Sequence, residues 1–115
     1  MNPTFELAHI GINLQSGEEA AQLANALAAM FSLPIRQGNK GPFCGEIFEC
    51  MNTPHLGKHG HIALYTDRLQ DAREHLKALG YTFLEETVKY DENGQMKNGY
   101  LEGEFGGFAI HIMQK

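Results

Sequence analysis

Four residues able to ligate a metal recur at matched places in the two halves of this sequence. His9 lies in Ala8-His9-Ile10-Gly11-Ile12, and His61 lies in Gly60-His61-Ile62-Ala63-Leu64, 52 positions later. Glu49 lies in Gly45-Glu46-Ile47-Phe48-Glu49-Cys50-Met51-Asn52, and His111 in Gly107-Phe108-Ala109-Ile110-His111-Ile112-Met113-Gln114, 62 positions later. Each is out of phase with apolar neighbours on its own strand, so the apolar set packs on one sheet face and the four polar groups share the other. Neutral imidazole and carboxylate suit Zn, Ni, Co, Mn or Fe(II). Four protein ligands on a six-coordinate ion leave two positions for adjacent oxygens of a substrate, and such an ion stabilises an enolate or oxyanion as a Lewis acid. Glu49 is the ligand that can also carry a proton. A lone strand histidine is more often a hydrogen-bonded core or surface residue, but four at repeat-equivalent positions favour a site.

The other reactive residue types carry less. His55 and His59 fall in or beside a loop and read as surface residues, and His75 faces solvent on a helix. Cys44 and Cys50 have no electropositive surroundings in sequence and read as reduced, inert thiols. Tyr100 and Glu102 share a strand face as candidate cavity liners, with exposed rungs as the blander reading.

The elements that must position the four begin with a strand over Phe5 to Leu14. Ser16-Gly17-Glu18-Glu19 reads as a capping box. Ala20, Leu23, Ala24, Leu27, Met30 and Phe31 then follow at helical spacing, which predicts a helix over 17–31 that Pro34 stops. Pro and Gly within 34–43 allow only short, broken strand, and Gly45 to Met51 predicts the next one. His59 to Thr66 is a strand closed by Asp67 as a helix cap. Leu69, Ala72, Arg73, Leu76 and Leu79 give a helix over 68–79 that ends at Gly80. Tyr81 to Tyr90 and Gly99 to Phe105 read as strands around an Asp91-Glu92-Asn93-Gly94 turn, and Gly107 to Met113 is the last strand. The unit is strand–helix–strands, twice, which divides one domain over 1–115 into modules of about 1–54 and 55–115.

Composition narrows the class. The 115 residues fit a single domain, and their 43% hydrophobic fraction is too high for a disordered chain. Nine Lys and Arg against 14 Asp and Glu give a net charge of −5, which argues against nucleic acid and anionic membranes as partners. No apolar run approaches the roughly 20 residues of a membrane helix. The start, Met1-Asn2-Pro3-Thr4-Phe5-Glu6, lacks the basic-then-apolar build of a signal peptide, which predicts a cytoplasmic protein. Open strand edges predict a homodimer.

The whole chain resembles the vicinal-oxygen-chelate superfamily, which includes glyoxalase I, bleomycin- and fosfomycin-resistance proteins, methylmalonyl-CoA epimerase and extradiol dioxygenases. His9 and His61 match its first-strand histidines, and Glu49 and His111 match its last-strand ligands. The resemblance implies an α+β fold in which two βαβββ modules form a curled, mostly antiparallel eight-stranded sheet with helices outside. It implies a divalent metal on His9, Glu49, His61 and His111, and a lyase or isomerase acting on a small 2-oxo or hydroxy-carbonyl metabolite. It also implies a homodimer in which ligands can come from two chains. His111 stands where glyoxalase I typically has Glu, and Glu104-Phe105-Gly106-Gly107-Phe108 keeps only Gly107 of the usual Asp-Pro-Asp-Gly-Asn lead-in. Stretches such as Leu56-Gly57-Lys58-His59-Gly60-His61-Ile62-Ala63 are similar to the glyoxalase-like domain appended to some bacterial 2-keto-3-deoxyphosphogluconate aldolases, which implies a functional link to a sugar-acid aldolase. The alternatives are a non-catalytic binding or resistance protein of this fold, an aldolase-associated accessory domain, or an oxygenase, since two His and one carboxylate also suit Fe(II).

Overall fold

Two helices lie against one mixed sheet, and every strand takes part in that sheet. The structure, a computed structural model, describes residues 2–115. The first module runs β1 (Glu6–Asn13), α1 (Gly17–Phe31), β2 (Ile35–Gly38), β3 (Gly41–Cys44) and β4 (Phe48–Met51). The second runs β5 (Gly60–Thr66), α2 (Leu69–Ala78), a short 3-10 helix (Glu85–Thr87), β6 (Lys89–Tyr90), β7 (Met96–Tyr100) and β8 (Phe108–Gln114). The strand order is β2-β3-β4-β1-β5-β8-β7-β6, and the sheet does not close. The fold is α+β, with the βαβββ unit repeated as the sequence predicts. β1 pairs in parallel with β4, β5 pairs in parallel with β8, and the remaining neighbours are antiparallel. No helix among the described residues is long and apolar enough to cross a membrane.

The modules join through the antiparallel β1–β5 pair, and its register carries the internal symmetry. Ile10 pairs with Ile62, Gly11 with His61, and His9 with Ala63. Exchanging residues 52 positions apart maps Ile10–Ile62 onto itself and Gly11–His61 onto Ala63–His9, so an approximate two-fold axis passes through the Ile10–Ile62 pair. Glu49 pairs with Gly11 and His111 with Ala63, which preserves the relation one strand further out.

The face away from these groups carries the core. Cys50 packs with Ala20 and Ala24 of α1, and partly buried Leu14, Leu23 and Leu27 surround them. Small side chains there let the helix lie close to the sheet. In the second module Leu69 of α2 packs with Phe83, Val88, Met96, Leu101 and Ile112. The apolar stripe of α1 is covered only in part, because Met30 and Phe31 are exposed at its end. Cys44 and Cys50 are fully buried free thiols.

Local signals mostly act as expected. Ser16 Oγ accepts from Glu19 N at 3.1 Å, and Glu19 Oε1 accepts in turn from Gln15 N at 3.0 Å. Asp67, expected to cap α2, does not do so. Gln114 at the end of β8 accepts from Leu69 N at 2.8 Å and donates to the Asp67 carbonyl at 2.6 Å, so the cap comes from 45 residues away. The strand expected over Tyr81 to Tyr90 shrinks to Lys89–Tyr90 and an isolated bridge between Phe83 and Leu101. Thr87 is the cause: its hydroxyl accepts from Tyr100 N at 2.9 Å and donates to the Leu84 carbonyl at 2.7 Å, which replaces a ladder rung by a side-chain bond. The strand expected over Gly99 to Phe105 instead spans Met96–Tyr100. Asp91 Oδ1 accepts from both Asn93 N and Gln95 N, so the turn closes early and pairing resumes at once. In the first module, Gly45 at φ 61 turns the chain, and the expected strand begins only at Phe48.

Candidate metal centre

The sheet face opposite the helices gathers His9, Glu49 and His61 at the floor of a cavity of about 710 Å³. Strand period places Glu49, Gly11 and His61 in one cross-strand row, and His9 two residues from Gly11 on the same face. His9 Nε2 lies 3.2 Å from His61 Nε2 and 3.3 Å from Glu49 Oε1, and His61 Nε2 lies 3.3 Å from the same oxygen. The three donor atoms form a near-equilateral triangle. Ligands about 2.0–2.1 Å from one ion stand roughly 2.9 Å apart on an octahedral face and roughly 3.3 Å apart on a tetrahedral one. Edges of 3.2–3.3 Å therefore fit three ligands on one face of a single ion. All three belong to one chain, so no second subunit is needed to complete the triangle.

The imidazole contacts carry the fit further. Two neutral Nε2 atoms at 3.2 Å can share only one proton, whereas a cation between them engages both lone pairs. His61 is buried, and its Nδ1 has no hydrogen-bond partner. An ion on Nε2 leaves that Nδ1 unpaired, so the fit rests on the Nε2 and carboxylate triangle.

Gly11 is what admits His61 to this place. A Cβ at Gly11 would lie 2.0 Å from His61 Cε1 and 2.4 Å from its Nδ1, so the ring lies in space that only glycine leaves open. Ala63 is the two-fold counterpart of Gly11, and its methyl group occupies the matching space beside β5. The centre is therefore displaced from the symmetry axis toward β1 and β4.

That displacement decides the fate of the fourth predicted ligand. His111 is on the correct face, with its ring centroid 6.1 Å from that of His61, but it is not part of the triangle. It stacks flat on Tyr100, with centroids 4.2 Å apart and planes 2° apart, and its Nε2 meets Asn98 Oδ1 at 3.1 Å. The structure thus brings three of the four predicted residues, His9, Glu49 and His61, within ligating distance of one another and leaves His111 beside them on the same face. Tyr100 lines the cavity as one of the two sequence alternatives had it, whereas Glu102 points away and accepts from the Thr82 hydroxyl at 2.8 Å. Phe43, the two-fold counterpart of Tyr100, meets His9 edge-on at 5.4 Å.

His55 was expected to be an unremarkable surface residue, yet it forms part of the cavity wall, edge-on to Tyr100 at 5.6 Å. Asn13 holds its loop, accepting from His55 N at 3.2 Å and donating to the Gly57 carbonyl at 2.9 Å. The only sequence signal was that Asn13 shares a strand face with His9. His59 and His75 lie outside the cavity.

Comparison with solved structures finds neighbours of similar fold. A crystal structure of hypothetical protein BH1468 from Bacillus halodurans C-125 superposes with a TM-score of 0.63 over 97% of this chain and 95% of that one, at 17% identity. The likeness is one of fold. No protein-family model and no curated protein matches the sequence.

The electrostatics suit a cation-binding floor. Burial pushes the Glu49 carboxyl up, but hydrogen bonds from His61 and His9, and then their charge, outweigh it and hold the group at about 2. Glu49 is thus ionised near neutrality. Burial first, and then His61 and His9, push His111 down to about 4 against the pull of Glu49. Burial, reinforced by Glu49, pushes Tyr100 up to about 12, so its phenol stays protonated.

The His111 shift predicts an acid-sensitive fold. With a folded pKa of about 4 against an ordinary 6.5, the unfolded chain binds more protons between these values. Stability is therefore full above about pH 6.5 and falls as pH drops toward 4, by at most about 3 kcal/mol at roughly 1.4 kcal/mol per unit. The window of Glu49 lies lower, from its ordinary 4.5 down to about 2. In metal-free protein, His111→Phe should flatten the urea-midpoint profile between pH 6.5 and 4 while keeping the stack on Tyr100. An unchanged slope would refute the assignment.

Proposed function

We propose that this protein is a metal-dependent enzyme of the vicinal-oxygen-chelate type, a lyase or isomerase acting on a small 2-oxo or hydroxy-carbonyl metabolite. The observation that carries the reading is the His9–Glu49–His61 triangle at the floor of an open cavity. A divalent ion held there supplies Lewis acidity toward adjacent substrate oxygens. The donor set of two imidazoles and one carboxylate suits Zn, Ni, Co, Mn or Fe(II).

The chain's own residues divide the remaining work. Glu49 is expected from sequence to be both ligand and proton carrier. A carboxylate held at about 2 is a weak base, which favours the ligand role. His111, neutral near pH 7 and fixed by Asn98 and Tyr100, is a hydrogen-bonding group beside the triangle; held at about 4, it too is a weak base. Tyr100 keeps its proton and supplies a hydrogen-bond donor to an oxyanion formed in the cavity. Phe43, His55 and Tyr100 provide flat walls for a small planar molecule.

Those same aromatic walls favour a second reading, a binding protein without turnover, with an accessory role beside an aldolase as its variant. One experiment separates the classes. Metal content of the untreated protein is measured, and hydroxyacetone and pyruvate are then incubated with it in D2O and followed by NMR. Stoichiometric divalent metal with hydrogen exchange next to the carbonyl supports the enzyme. Metal without exchange on any 2-oxo or hydroxy-carbonyl compound supports the binding protein, and absence of metal in the untreated and reconstituted protein overturns the metal reading.

A further inference from the structure

The cavity around the triangle is edged with cations. Arg36, Lys40 and Lys89 line it against two carboxylates, Glu49 and Glu86, although the chain as a whole carries a net charge of −5. Three of only nine Lys and Arg thus border one cavity. They also come from opposite ends of the sheet: Arg36 is on β2 and Lys40 on the turn after it, while Lys89 is on β6.

The three cations are not equivalent. Arg36 is engaged, its Nε and Nη2 donating to Glu46 at 3.1 and 3.2 Å while its guanidinium lies 4.3 Å from the centre of the Phe43 ring. Lys40 and Lys89 make no ion pair among the described residues. The Lys40 ammonium is near enough to the wall to help push the His55 imidazole down, after burial and ahead of His61.

This arrangement favours an anionic ligand. A divalent ion on two neutral imidazoles and one carboxylate leaves a net positive centre, and unpaired ammonium groups on the same cavity repel it further. Here the sole acid in the cavity besides the ligand Glu49 is Glu86. An anionic ligand would complement this excess of positive charge.

We propose that Lys40 and Lys89 are specificity residues that select a substrate carrying a second anionic group, a carboxylate or phosphoryl, beyond the oxygen pair over the triangle. This rests on the metal-site reading above and narrows its substrate class to dianionic or more highly charged 2-oxo acids. The lysines act through charge rather than fixed geometry, because both are exposed at the cavity mouth.

The test is calorimetric and does not use turnover. Zinc affinity is measured first, and the zinc-loaded protein is then titrated at low salt with pyruvate, 2-oxoglutarate and phosphonopyruvate. At least one of the two extended acids should bind tenfold or more tightly than pyruvate. In a Lys40→Ala/Lys89→Ala double variant that advantage should fall below about twofold while zinc affinity stays the same. A larger gain for 2-oxoglutarate identifies a carboxylate-bearing substrate, and a larger gain for phosphonopyruvate a phosphorylated one. Equal binding of all three acids, or an advantage that survives in the double variant, overturns the proposal with the metal reading intact. Failure to bind zinc, nickel, cobalt, manganese or Fe(II) overturns the metal reading, and the same three titrations on that protein still report whether the lysines select the extra charge.

Discussion

Alanine at His9, Glu49 or His61 is expected to lower divalent-metal affinity by well over 100-fold, whereas alanine at His111 should lower it by about 10-fold or less. The contrast follows from geometry. Each member of the triangle contributes one of three donor atoms held 3.2–3.3 Å apart, and removing one leaves a two-ligand site open to water. Outer groups that orient or polarise ligands typically cost about 10–100-fold when lost. His111 touches the centre only through its neighbourhood with His61, so it belongs at or below the bottom of that range. His55→Ala and His75→Ala should be close to wild type. Isothermal titration with zinc at pH 7.5 checks the series. A His111 variant as damaged as the other three would restore the four-ligand centre, and equal affinity in all variants would remove the site altogether.

Gly11→Ala should be nearly as damaging to metal binding although it removes no ligand. The backbone at Gly11 is ordinary strand, so the penalty is wholly steric: the new methyl carbon would be 2.0 Å from His61 Cε1. His61 is only 2% exposed, and the space open to its ring is the cavity, away from its place in the triangle. Overpacking of this kind typically costs about 1–3 kcal/mol of stability. The larger consequence is that the ring must leave the position in which its Nε2 meets both His9 and Glu49. Metal affinity should fall at least 100-fold, with a folded protein by circular dichroism. Ala63→Gly, at the two-fold-related position beside β5, crowds nothing and serves as the control; it should leave zinc affinity within a few-fold of wild type. A Gly11→Ala protein that binds zinc normally would show that His61 reaches the centre by another route.

Much of the architecture was legible because it rests on local and periodic signals. The two strand–helix–strands units follow from hydrophobic period and from Gly and Pro punctuation, and helix α1 begins at its capping box. Placement of His9, Glu49, His61 and His111 on one face follows from period two along each strand, which any strand pairing must respect. That internal repeat made the two modules alike, and the β1–β5 register relates them by an approximate two-fold axis. The sequence could not show the break in that symmetry. Gly11 and Ala63 differ by a single methyl group, and whether that methyl matters depends on which imidazole leans across which strand, a fact of the β1–β5 register. The same applies to His111, whose phase matches the others but whose ring is captured by Tyr100 and Asn98 on the neighbouring strand. Likewise, Gln114 replaces Asp67 as the cap of α2, Thr87 cuts short the strand expected before Tyr90, and Lys40 and Lys89 meet at one cavity from opposite ends of the sheet. Residue type and spacing along the chain determined which groups can ligate and which way they face. Contacts between segments far apart in sequence decided how many converge, because convergence is a matter of ångströms across strands.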